Sequence, residues 1–215
     1  MIIDFIKHLK RRNKIKEISL KEISKLWVDS EEKEASEQIK HEGDKNKWDN
    51  PDINSFYHHY VLPYSPVLGS AIETIQKILT VLDKSGNCSS VANDPSETTN
   101  IKYKDITLAE HSLNVARKII DMIKNRIKDH EFVAGEMLII ALGHNLGKIK
   151  TDKKLPVDLP TQSALVVEQF VKDLPYKQTT MQAIKTYKNS PKLNQAKLLN
   201  SADHSARKFE AAIPR

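Results

Sequence analysis

The sequence has little cysteine, glycine or aromatic residue: one Cys, six Gly and 6% Phe, Trp and Tyr in 215 residues. A lone cysteine, Cys88, excludes an intrachain disulfide and a thiolate zinc cage, and it is compatible with the cytosol. No Gly-rich loop is present to cradle a phosphate on backbone amides, and no segment alternates polar and apolar residues as a half-buried strand does. The chain also lacks an apolar run near the roughly 20 residues that span a bilayer, and no signal-peptide cleavage pattern follows its N-terminus. The expectation is a cytoplasmic protein with no transmembrane segment, built from helices.

What is present fits that expectation. Apolar residues make up 39% and charged residues 29%, the balance of a globular chain with a core rather than a disordered one. The formal charge of +6 favours anionic partners through a long-range, salt-screened field, so a phosphate-containing substrate or ligand is expected, nucleic acid among them. Near the N-terminus, Ile2, Phe5, Ile6 and Leu9 recur at helical spacing beside six cations between Lys7 and Lys16, Lys10, Arg11 and Arg12 included. That pattern is a basic amphipathic helix, serving either contact with nucleic acid or a membrane surface, or packing of one face on the domain. Ser19 and Glu22 form a capping box for a second short helix, with Ile23, Leu26 and Trp27 on its apolar face. Residues 29–54 are dense in charge without apolar periodicity and read as a solvated linker or a marginal helix. The expected organisation is thus 1–54 as basic amphipathic helices and linker, and 55–215 as a helical domain.

Within that domain, Ser65-Pro66 starts a helix whose inward face is Val67, Ala71, Ile75, Ile78, Leu79 and Leu82. Residues 84–104, rich in Ser, Asn and Asp, read as a loop. Thr107 and Glu110 make a capping box for a helix with Leu108, Val115, Ile119 and Ile123 or Met122 inward. The run from Phe132 to Leu142 is nearly apolar throughout, which predicts a deeply buried helix, with Gly147 as its terminator. Further helices are expected at about Gln162–Lys172 and Thr179–Lys188. A last one, capped by Ser190-Pro191, turns Leu193, Ala196, Leu199 and Asp203 inward.

Three polar residues interrupt these apolar stripes: His111, His144 and Asp203. Each alone is what a hydrogen-bonded core residue looks like, because burial without a partner is costly. Imidazole and carboxylate arriving from separate helices at the middle of a bundle are also what a divalent cation needs when no cysteine is available.

The phrases TLAEHSLNVA, LIIALGHNLGKI and LLNSADHSAR, with His144 lying 33 residues after His111, resemble the HD superfamily of metal-dependent phosphohydrolases. The resemblance covers Asp105 to Arg207, about half the chain. It implies an all-α, HD-domain-like helical bundle with an N-terminal helical extension. It also implies a divalent metal ion (Mn, Co, Ni, Fe, Zn or Mg) held by His111, His144, the residue at 145 and Asp203, which activates water for attack on phosphorus. Lys148 matches the lysine that commonly follows the pair, where it would steady phosphoryl charge, although a cation at a helix end also complements the dipole. Arg207, one turn beyond Asp203, is expected to pair with that carboxylate.

The sequence departs from the family pattern at Asn145, where the family has aspartate. An amide oxygen can ligate a hard cation but brings no charge, so weaker binding and impaired activity are expected. Families with two metals place extra histidines where this chain has Thr161, Gln162, Tyr187 and Lys188, which argues for a mononuclear site. His204 lies about 100° round the helix from Asp203 and should face elsewhere. His58-His59 form a second, weaker cluster; the EHSLNVA phrase also resembles HD-type relaxases of conjugative elements, in which upstream histidines reach the cleft. Three functions are left open: a phosphohydrolase acting on a nucleotide or nucleic-acid phosphodiester; a catalytically inactive HD-fold module binding such a ligand, as in conjugative DNA processing; and an interaction protein docking through its N-terminal helices.

Overall fold

A computed structural model of the chain describes residues 47–92, 103–149 and 157–213. The two helices expected near the N-terminus and most of the charged segment after them lie outside the described residues. Those described form an all-α bundle: α1 (Pro51–Phe56), a π-helical turn (Tyr57–Val61), a 3-10 turn (Leu62–Tyr64), α2 (Ser65–Leu68), α3 (Ala71–Ser85), α4 (Leu108–Arg126), α5 (Glu131–Gly143), a 3-10 turn (Leu146–Lys148), α6 (Leu159–Glu168), α7 (Lys177–Thr186) and α8 (Asn194–Ala212). None of these helices is long and apolar enough to cross a membrane.

Helix α5 is the axis of the bundle. Its residues from Ala134 to Gly143 are buried, with Glu136 alone only partly so, because α2, α3, α4, α6, α7 and α8 all pack on it. A helix apolar all round is stable only when surrounded in this way. Helix α4 lies between α5 and α8, and the Thr107 hydroxyl caps it by accepting from the Glu110 amide at 3.1 Å. Helix α8 starts at Asn194 with Leu193 at the cap, so Ser190-Pro191 belongs to the preceding turn rather than to the helix start.

Four expectations change at their edges. The linker reading fails for its last residues: Trp48 is buried, its indole N–H donates to Thr80 Oγ1 at 3.0 Å, and the Asn50 amide donates to Asp83 Oδ1 at 2.8 Å. A segment without apolar periodicity is thus held to α3 by one aromatic ring and polar clamps. The helix expected from Ser65 is broken at Gly69, whose φ of +50° suits glycine, and the break leaves Val67 exposed. Phe132, in the first turn of α5, is also exposed. Gly147 does not end α5, whose last residue is Gly143.

Gly147 is instead a point of close approach. A Cβ there would lie 2.7 Å from the Ser163 amide nitrogen and 2.9 Å from the Leu159 carbonyl oxygen, both backbone atoms of α6. The Gly147 amide donates to Ser163 Oγ at 3.0 Å, fastening the turn that carries Asn145 and Lys148 to α6. Gly147→Ala is therefore expected to destabilise the fold by about 2 kcal/mol, since backbone cannot rotate aside as a side chain does. Urea denaturation should show the loss, and an unchanged midpoint would mean that α6 shifts freely.

Candidate metal centre

Three helices deliver the site. His111 sits in the second turn of α4, His144 caps the C-terminus of α5, and Asp203 lies midway along α8. Both imidazoles are fully buried, while the Asp203 side chain keeps 15% of its surface. The three residues that interrupt apolar stripes in the sequence thus meet: one ligating atom from each lies within 4.8 Å of the other two. His111 Nε2 is 3.1 Å from Asp203 Oδ1, His144 Nε2 is 4.0 Å from the same oxygen, and the two rings have centroids 5.5 Å apart.

The 3.1 Å pair is unusual in that neither atom makes a hydrogen bond, although both are buried. Nitrogen and oxygen approach but do not aim at each other. Two ligands about 2.1 Å from one ion sit roughly 3.0–3.5 Å apart, and neither points at its neighbour. The geometry of this pair suits a shared cation, and His144, at 4.0 Å, is wider than that separation.

The outer contacts of each imidazole fix its proton. His144 Nδ1 lies 2.6 Å from the Ala141 carbonyl oxygen, which only accepts, so Nδ1 carries hydrogen and Nε2 presents its lone pair. Burial pushes the His144 pKa down to about 3, the nearby Asp203 charge opposing this only in part, so the ring is neutral. Asn145, buried beside it, places Nδ2 2.6 Å from that Nε2. Its amide therefore donates to the lone pair a cation would use. The Tyr187 ring stands edge-on to His144 at 5.6 Å.

His111 is backed differently. Its Nδ1 lies 2.9 Å from Glu210 Oε1, and Glu210 also accepts from Asn114 Nδ2 at 3.1 Å and Arg207 Nη1 at 3.1 Å. Burial disfavours the imidazolium, yet the Asp203 and Glu210 carboxylates outweigh it and raise the His111 pKa. Burial likewise works against the Asp203 and Glu210 charges, but His111 and its neighbouring donors prevail, holding Asp203 well below the usual carboxylate range and lowering Glu210 as well.

Arg207 and Lys148 both turn to Ser90. Arg207 spends Nη1 on Glu210 and on Ser90 Oγ at 2.9 Å, and the Tyr103 ring lies 4.9 Å from its guanidinium carbon; these contacts replace the expected pairing with Asp203, which feels Arg207 only as a nearby charge. Lys148 is buried and donates from Nζ to the Ser90 carbonyl at 2.6 Å. Ser90, in the stretch read as loop, is anchored in turn by its amide donating to Ile106 O at 2.7 Å. His204 is exposed, as expected from its place on α8. His59 is exposed and tied to the Ser55 carbonyl at 2.7 Å, and His58 packs edge-on to Tyr57; neither belongs to the metal-ligating group among the described residues.

No family model matches the chain, and neither the curated proteins nor the solved structures contain a match to it.

Glu210, Asn114 and Ser90 do not stand out in the sequence. Glu210 and Asp203 are seven residues apart on α8, and Asn114 is three beyond His111 on α4, so helical spacing from the candidate ligands is the one signal that points to the first two.

Proposed function

We propose that the chain is an HD-type domain that binds one divalent metal ion through His111, His144 and Asp203, with Asn145 at the edge of the site, and acts on the phosphate ester of a nucleotide or nucleic acid. The observation that carries the reading is the meeting of ligating groups from three helices, two imidazoles buried and one carboxylate mostly so, with two of their atoms 3.1 Å apart and not hydrogen-bonded. A bound divalent ion would supply Lewis acidity toward phosphate and toward water. The chain's own residues prepare the site: Ala141 aims His144 Nε2 inward, Asp203 brings the negative charge, and its partly exposed side chain marks the approach from solvent. Lys148, which donates to the Ser90 carbonyl, would add positive charge beside His144.

One observation favours a second reading, a catalytically inactive HD-fold module that binds nucleotide or nucleic acid. The Asn145 amide satisfies His144 without any ion, so one of the three candidate ligands has no need of a cation.

Titration calorimetry with Mn²⁺, Co²⁺, Ni²⁺, Fe²⁺, Zn²⁺ and Mg²⁺ on chelated, dialysed protein tests the first reading. One ion per chain is expected, and Asp203→Ala should lower its affinity by more than about a hundredfold, beyond the 10–100-fold cost of losing a residue that only supports a ligand. Binding unaffected by that change would remove the site from the triad. If the ion binds but no phosphate ester in a broad panel is turned over, the module reading is preferred.

A further inference from the structure

We infer that Glu210 is a positioning residue for the proposed ion site, keeping hydrogen on His111 Nδ1 so that Nε2, on the side of Asp203 and His144, is the nitrogen left for the ion. The inference rests on the metal reading above and deepens it.

The contacts leave Glu210 little freedom. It is 1% exposed, at the far end of a row on α8 that begins at Asp203 and passes through Arg207, facing a row on α4 formed by His111, Asn114 and Arg117. Oε1 receives His111 Nδ1 at 2.9 Å and Asn114 Nδ2 at 3.1 Å. Oε2 receives Arg207 Nη1 at 3.1 Å and lies 3.2 Å from the same His111 nitrogen. A carboxylate held by donors on both oxygens only accepts, so Nδ1 of His111 must carry hydrogen. Nε2 is then the atom left for a ligand, and it is the nitrogen found 3.1 Å from Asp203 without a hydrogen bond. A carboxylate behind the imidazole also makes the ring a stronger donor to a cation.

Asn114 sets the orientation of that carboxylate. Its amide nitrogen goes to Glu210, and its Oδ1 accepts from Arg117 Nη1 at 2.9 Å, which fixes the direction of the amide. Arg117 lies 5.8 Å from the Phe56 ring and 6.0 Å from the Tyr60 ring, and those two rings stack at 5.3 Å. The chain of contacts thus runs from the π-helical turn to His111 without using Asp203 or His144. A purely structural Glu210–Arg207 pair would need neither Asn114 nor His111.

The test compares the parent with Glu210→Gln and Glu210→Asp on two readouts: Zn²⁺ and Mn²⁺ affinity by calorimetry, and the ¹⁵N shifts of the His111 ring, which report which nitrogen carries hydrogen. Glutamine keeps the volume but accepts or donates, so the tautomer is no longer imposed. Glu210→Gln is expected to lose about 10–100-fold in affinity and to lose the fixed Nδ1–H signature, with Glu210→Asp recovering part of both. A folded Glu210→Gln that keeps the parent's affinity and the parent's ring shifts would overturn the inference. Should that variant not fold, the parent decides: an unprotonated Nδ1 on its His111 overturns the role equally. A parent that binds no ion while showing Nδ1–H would instead sink the metal reading and leave the Glu210 contact standing.

Discussion

Asn145→Asp is expected to tighten divalent-ion binding by about a hundredfold, equivalent to roughly 2.7 kcal/mol, and to make the metal-free protein less stable than its parent. Both effects come from one contact. In the parent, the amide of Asn145 donates to His144 Nε2 at 2.6 Å, so the lone pair a cation needs is already satisfied and must be released before binding. Aspartate has no N–H. Beside a neutral, buried imidazole whose other nitrogen is committed to Ala141, its charge faces a lone pair and is unfavourable until a proton or an ion arrives. An ion then gains a charged ligand and no longer competes with a hydrogen bond.

The same change should bring Mn²⁺-, Co²⁺- or Ni²⁺-stimulated release of phosphate or nucleotide from at least one substrate in a broad panel, where the parent is slow or silent. His144→Ala in that background should remove it. Calorimetry and urea midpoints with and without metal give opposite signs for the two states of Asn145→Asp. Unchanged affinity together with unchanged metal-free stability would show that position 145 does not touch the ligand.

The residues that announce themselves in the sequence do so by breaking a pattern. His111, His144 and Asp203 stand where an apolar side chain is due, and burial at such positions demands a partner, so their convergence follows from helical periodicity and the cost of burying a polar group. The buried α5 is legible because a helix apolar on every side has only one stable environment. Partners across long separations are not. Ser90 meets Lys148 over 58 residues and Arg207 over 117, and nothing in a serine within a polar stretch marks it as the acceptor for two buried cations. Trp48 is hidden because one ring and a few side-chain clamps, rather than a periodic face, hold its segment. Gly147 shows a subtler limit. Glycine after an apolar helix reads as a terminator, whereas here its missing Cβ makes room for the backbone of α6. The spacing that points to Glu210 is present, but a glutamate near the end of a helix is ordinarily solvated.

Without metal, the protein is expected to be most stable near pH 6.5 and to lose stability on both sides, because the two site histidines are shifted in opposite directions. His111 has its pKa raised from 6.5, so its contribution is fully present below that value and is lost as pH rises through the folded-state pKa. His144 is pushed down to about 3 by burial, so below pH 6.5 the unfolded chain takes up a proton that the folded chain refuses. Stability then falls with falling pH at about 1.4 kcal/mol per unit, or roughly 2–3 kcal/mol between pH 6.5 and 4.5. Asp203 and Glu210, both lowered in pKa, contribute stability that is present above their ordinary pKa values and is lost in more acid solution, which steepens that limb further down. Saturating metal should abolish the alkaline loss, since the ion takes the place of the His111 Nε2 proton. Urea midpoints from about pH 4.5 to 9 in chelator measure the whole curve. His144→Gln should flatten the acid limb and leave the alkaline one. If stability instead keeps rising through about pH 8 in chelator, the Asp203 and Glu210 carboxylates do not outweigh burial at His111 in the ion-free protein.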